Sequence, residues 1–206
     1  EHVSGTSLRA VLEGGGRLAM ARVLRLSAEI AAALQALHEH GLVHGDIRPE
    51  HVLLVGGGEG EAVKLKGLEI EPLLGTAIVE QMLGAGALPG APAYTAPELI
   101  EGGRPTPRTD IYSYGVLLYE MVTGYVPFEG SSADAVLARQ LQEPPVPPRA
   151  LRDAVPPVLQ ARLLHALQKD PEERPRYIVD VVNPAVVQRA AEEHAAERAV
   201  AEGPGA

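Results

Sequence analysis

The stretch HGDIRPEHVLL, residues 44–54, sets a carboxylate, Asp46, among two imidazoles, His44 and His51, and a guanidinium, Arg48, then runs directly into the apolar VLL. A short apolar run bounded by turn-forming residues reads as a strand, which makes the polar residues before it a loop ending at that strand. Upstream, Val23, Leu26, Ile30, Leu34 and Leu37 recur at spacings of three and four, the signature of one buried helical face. The spacing predicts an amphipathic helix from Leu18 to His40, ended by Gly41. A shorter helix over Ser7 to Glu13, stopped by the glycines at 14–16, is expected to form a helical hairpin with it.

Downstream of the loop, Val52–Val55 and Ala62–Leu65 flank GGGEGE and predict a small β-hairpin. An irregular segment follows from Gly67 to Pro97, with PLLGTAIVEQML at 72–83 as a candidate helix inside it. From Pro107 to Thr123 the residues Ile111, Val116, Leu117, Leu118, Met121 and Val122 leave no polar face, so this helix is expected at the centre of the fold. After the Pro-rich EPPVPPR, helices are expected over Pro156 to Gln168 and from Pro175 or Pro184 towards Val200, with EGPGA as a frayed tail. The fold class is mainly α with one small β-hairpin: a single domain over 1–182, then a terminal helix and tail over 183–206.

Composition narrows the function. With 206 residues and 46% hydrophobic content, the chain is long enough to bury a core, and no run of about 18 apolar residues exists to cross a bilayer. The opening EHVSGTSLR has neither the charged nor the apolar region of a signal peptide, and the absence of cysteine suits a reducing compartment, so a cytoplasmic location is expected. Without cysteine there is no thiolate nucleophile or thiolate metal site. A net charge of −9 without a Lys/Arg cluster argues against nucleic acid, whose binding depends on neutralising phosphates. His38, His40, His44 and His51 are close in sequence but lack zinc-ligand spacing, and PPVPP at 144–148 reads as an inter-helix loop rather than a polyproline ligand.

Several motifs in order resemble the helical lobe of the eukaryotic-type protein kinase family, including its serine/threonine kinases. HGD at 44–46 stands where that family has His-Arg-Asp, and DIRPEH at 46–51 resembles Asp-Leu-Lys-Pro-Glu-Asn. GAPAYTAPE at 90–98 resembles the end of the activation segment, DIYSYG at 110–115 the start of the central helix, and DPEERP at 170–175 the late Arg-Pro turn. EHVSGTSLRAVLE resembles the hinge and the first helix after it, which implies that the Gly-rich phosphate loop, the strand lysine and the helix glutamate of the upper lobe are absent from these 206 residues.

The resemblance also locates the chemistry. Asp46 occupies the position of the residue that accepts the substrate hydroxyl's proton. The family's metal-binding Asp-Phe-Gly is replaced by Gly67, Leu68 and Glu69, and its metal-binding Asn by His51. Glycine has no donor and imidazole suits softer metals than Mg²⁺, so no metal and no cofactor are expected; Asp46 becomes a loop-organising carboxylate partnered by backbone or Arg48. Gly45 removes the arginine that would receive an activating phosphate, and Arg48 replaces a lysine with a planar fork. His44 and Leu68 can still serve as packing contacts. Glu98 and Arg174 are expected to form a buried ion pair, and Asp110 to accept N–H groups of the loop.

What holds the fold is kept and what handles ATP is lost. The expected function is a degenerate pseudokinase lobe that binds a protein partner, a further domain or a second copy of itself on the upper face near the hinge. The alternative is half of an active serine/threonine kinase, using ATP and Mg²⁺ through ligands such as Glu69 once an upper lobe completes it.

Overall fold

The computed structural model describes residues 4–14, 17–57, 60–67 and 91–202, and side chains as far as 190 with 192, 193, 195 and 196 beyond. The expected helix within 72–83, and Leu68 and Glu69, lie outside the described residues.

The centre of the fold is helix α4, Pro107–Thr123, every residue of which is buried from Thr109 onwards. The element order before it is β1 (Thr6–Ser7), α1 (Leu8–Glu13), α2 (Met20–Glu39), β2 (Val52–Val55), β3 (Ala62–Leu65) and α3 (Pro97–Ile100). After it come α5 (Ala133–Gln142), α6 (Pro148–Leu151), α7 (Pro157–Ala166) and α8 (Pro184–Glu202). A capping box starts α4: the Thr106 side chain accepts an N–H of the first turn while Thr109 returns the contact to the Thr106 backbone, with Pro107 at the first turn. Because α4 is apolar all round, it must be covered on all sides. α2 lies against it, with the Tyr114 hydroxyl donating to the Ser27 carbonyl at 2.8 Å, and α7 approaches so closely that a Cβ on Gly115 would stand 3.1 Å from that of Ala166.

The expected hairpin is present, with Leu54 opposite Val63, but β1 adds a third antiparallel strand in the order β1-β2-β3. Ser7 therefore ends a strand as well as capping α1, where its hydroxyl accepts the Ala10 N–H. Nor does α1 lie along α2 as a hairpin partner: it packs on β1, β2 and the turn at Pro49–His51. The buried Leu8 and the reach of Arg9 towards that turn pull it there.

Two further differences concern helices. α5 was not expected. Ser132 caps it, and its buried Gln140 accepts the Tyr112 hydroxyl and donates to the Ala93 carbonyl, so the helix is held by contacts distant in sequence. The terminal helix starts at Pro184, because the residues after Arg174 form bends and one short 3₁₀ turn, Ile178–Asp180, instead. Among the described residues no helix is long and apolar enough to cross a membrane.

Candidate functional site

The loop from Leu42 to His51 leaves the end of α2 and enters β2, and Asp110, at the start of α4, organises it from below. The Asp110 carboxylate accepts the His44 N–H on Oδ2 and the Gly45 N–H on Oδ1, both at 2.8 Å. The His38 Nε2 of α2 meets Oδ2 at the same distance, so one buried carboxylate joins α2, the loop and α4. Three donors offset the desolvation that a lone buried charge would suffer.

His44 is fully buried. Its Nε2 donates to the Lys66 carbonyl at 3.1 Å while Nδ1 faces the Asp46 N–H, an arrangement that suits the neutral ring. Burial, only partly opposed by Asp110, holds its pKa below the ordinary value of 6.5.

Asp46, 7% exposed, is tied to its neighbours. Its Oδ2 lies 3.1 Å from Arg48 Nε and 3.3 Å from His51 Nδ1, and its backbone carbonyl accepts the His51 Nδ1–H at 2.7 Å. With Nδ1 carrying the proton, His51 Nε2 accepts from Arg48 Nη2 at 3.3 Å. The carboxylate at the base position, the guanidinium and the imidazole thus form a closed ring of contacts. At Gly67, just after β3, an added Cβ would meet Cγ, Cδ2 and Cε1 of His51 at 3.0 Å, so the two positions that the resemblance pairs as metal-binding face one another directly.

These residues do not fit a hard divalent cation. Gly67 offers no donor, the Nδ1 of His51 points at a carbonyl, and of these three residues only Asp46 carries carboxylate oxygen, whereas Mg²⁺ asks for several oxygen ligands in near-octahedral array. Among the described residues no group of three or more His, Asp or Glu is placed to hold a metal.

The scaffold contacts are more complete. Glu98 of α3 and Arg174 form a bidentate pair, Nη1 to Oε1 at 2.8 Å and Nη2 to Oε2 at 2.7 Å, with the Thr109 hydroxyl also donating to Oε1 at 2.8 Å. Although burial favours the neutral acid, Arg174 holds the Glu98 carboxyl below the ordinary carboxylate range. The sequence reading missed one cluster altogether. Arg9 of α1 reaches Glu50 beside the loop (2.9 Å), Glu120 of α4 (2.7 Å) and the Tyr94 hydroxyl (2.7 Å), and that hydroxyl in turn donates to Glu120. These three partners lie 41 to 111 residues away, and no local pattern marks them.

A central buried helix whose first-turn aspartate supports a His-x-Asp loop, and a carboxylate–guanidinium bridge from the following segment to the late turn, define a helical lobe of the protein kinase type. The chain belongs to that family: the protein kinase domain model matches residues 1–184. Among similar curated proteins, serine/threonine-protein kinase PksC of Streptomyces coelicolor is 35% identical over 178 residues, covering 84% of this chain and 31% of the relative. Serine/threonine-protein kinase PknB of Mycolicibacterium smegmatis is 34% identical over 177 residues (84% of this chain, 27% of the relative). Serine/threonine-protein kinase pkn3 of Myxococcus xanthus is 34% identical over 179 residues (85% and 33%). The chain spans about a quarter to a third of the length of these relatives.

Proposed function

We propose that this chain is a catalytically inactive kinase lobe that serves in the cytoplasm as a protein-binding or scaffold module. The observation that carries the reading is the pairing of His51 with Gly67: the two positions that the family resemblance assigns to metal ligands hold an imidazole and a bare α-carbon in mutual contact. Phosphoryl transfer relies on metal and cations to spread the charge of the transferred group, and neither position can contribute to that. The complete bonding of Asp110, Glu98 and Arg174 supports a role for the scaffold itself. The occupant of the upper face near β1 and α1 is a protein partner, a further domain or a second copy.

The second reading, half of an active serine/threonine kinase completed by an upper lobe, is favoured by the kinase names of the relatives and by the carboxylate at Asp46. Two measurements separate the readings: melting temperature with ATP plus MgCl₂ or MnCl₂, and transfer of labelled phosphate to casein, on this chain and on any longer parent. The inactive reading expects no metal-dependent shift and no transfer. Turnover that disappears on Asp46→Asn would refute it.

A further inference from the structure

His51 and Gly67 stand at the two open ends of the β2–β3 hairpin, one just before β2 and the other just after β3. Val52 pairs with Leu65, and the Lys66 N–H donates to the His51 carbonyl at 2.9 Å, so strand register itself brings the two positions together. A Cβ on residue 67 would touch three atoms of the His51 ring at 3.0 Å, inside the roughly 3.5–4.0 Å at which carbon atoms attract.

The ring has little room to withdraw. Its Nδ1–H is bound to the Asp46 carbonyl at 2.7 Å, its Nε2 accepts from Arg48, and Arg48 is itself drawn to the Asp46 carboxylate. Gly67 carries a second constraint, for its backbone has φ +75°, a left-handed conformation that costs an ordinary L-residue roughly 1–2 kcal/mol. Position 67 therefore resists a side chain for two separable reasons, one set by its backbone and one by the ring.

We infer that His51 is a built-in plug, whose imidazole occupies the volume that any side chain at position 67 would need. The inference rests on the proposed function and deepens it: position 67 is blocked by the chain's own histidine as well as stripped of its ligand. A carboxylate restored at position 67 alone would meet the ring rather than a metal, so the way back to a metal-binding residue there passes first through loss of His51.

The chain supplies its own control. Gly41 has φ +72°, close to that of Gly67, and nothing lies within 4 Å of an added Cβ. Gly41→Ala therefore measures the backbone penalty alone, a loss of roughly five- to thirtyfold in the folding equilibrium constant. Urea unfolding of the full chain, followed by circular dichroism, is to be compared for Gly41→Ala, Gly67→Ala, His51→Ala and the double variant Gly67→Ala/His51→Ala.

The plug predicts that Gly67→Ala costs about tenfold more in the folding constant than Gly41→Ala, and that the excess vanishes in the His51→Ala background. If Gly67→Ala does not fold by itself, the double variant must fold. An excess that is absent at the outset, an excess that survives removal of the ring, or a double variant that also fails to fold would overturn the inference. Phosphotransfer plays no part in this cycle, so the plug can fail while the chain proves inactive, and an active chain would leave the cycle's result standing.

Discussion

Arg174→Ala should remove a large share of the protein's stability. All five guanidinium N–H groups find acceptors: Nε at the Gln168 carbonyl (2.8 Å), Nη1 at Glu98 and the Arg108 carbonyl (2.9 Å), and Nη2 at Glu98 and the Lys169 carbonyl (2.9 Å). The side chain is 0% exposed, and the guanidinium lies 4.8 Å over the Tyr112 ring. Truncation orphans three carbonyls and a largely buried carboxylate together, for which a cost of about 3–5 kcal/mol is expected. Against a total domain stability of about 5–15 kcal/mol, such a loss removes at least about a fifth and at most all of it. Arg174→Lys should recover only part of it, since an ammonium has three donors for five acceptors. Urea denaturation at pH 7 gives each value, and the double variant Arg174→Ala/Glu98→Ala should cost at least about 1 kcal/mol less than the sum of the singles, because the second truncation removes a charge already stranded. A single cost below about 1 kcal/mol, or strict additivity, would refute the reasoning.

Two more predictions concern the loop. Asp110→Asn replaces one acceptor oxygen by a donor facing the His44 or Gly45 N–H, so a loss of about 2–3 kcal/mol and faster hydrogen exchange at those two amides are expected. For His44, burial lowers the native pKa below 6.5, so the unfolded chain takes up a proton that the native ring refuses. Its contribution is complete above about pH 6.5 and is lost as pH falls towards the native value. The urea midpoint should therefore drop between pH 7.5 and 5.5, and the drop should shrink in His44→Gln.

What could be read from sequence was what local pattern or motif carries. α2 followed from the period of its apolar residues and α4 from an apolar run without a polar face, and Asp110, Glu98 and Arg174 from short motifs whose partners the family resemblance supplied. β1 could not be read, because two residues that pair with Leu53 and Leu54 across nearly fifty positions leave no local trace. α5 did carry a signal, Ser132 before Ala133–Gln142 with Val136, Leu137 and Gln140 at helical spacing, but its polar content resembles a loop. The Arg9 cluster was hidden for the same reason as β1: only the packing of α1 against β2 brings Arg9 to Glu50, Glu120 and Tyr94. The His51–Gly67 contact was half visible, since the motifs named both positions but not that one would fill the other's space.

The hold of Asp110 on the loop bears on how the surface above it would associate. Two consecutive amides anchored to the buried core give the His44–Gly45 backbone few alternative conformations in the free protein. A molecule settling on that loop meets a preorganised shape, and the entropy of ordering it has already been lost during folding. Recognition there would thus be limited by fit and desolvation, with complexes that form without a preceding loop rearrangement.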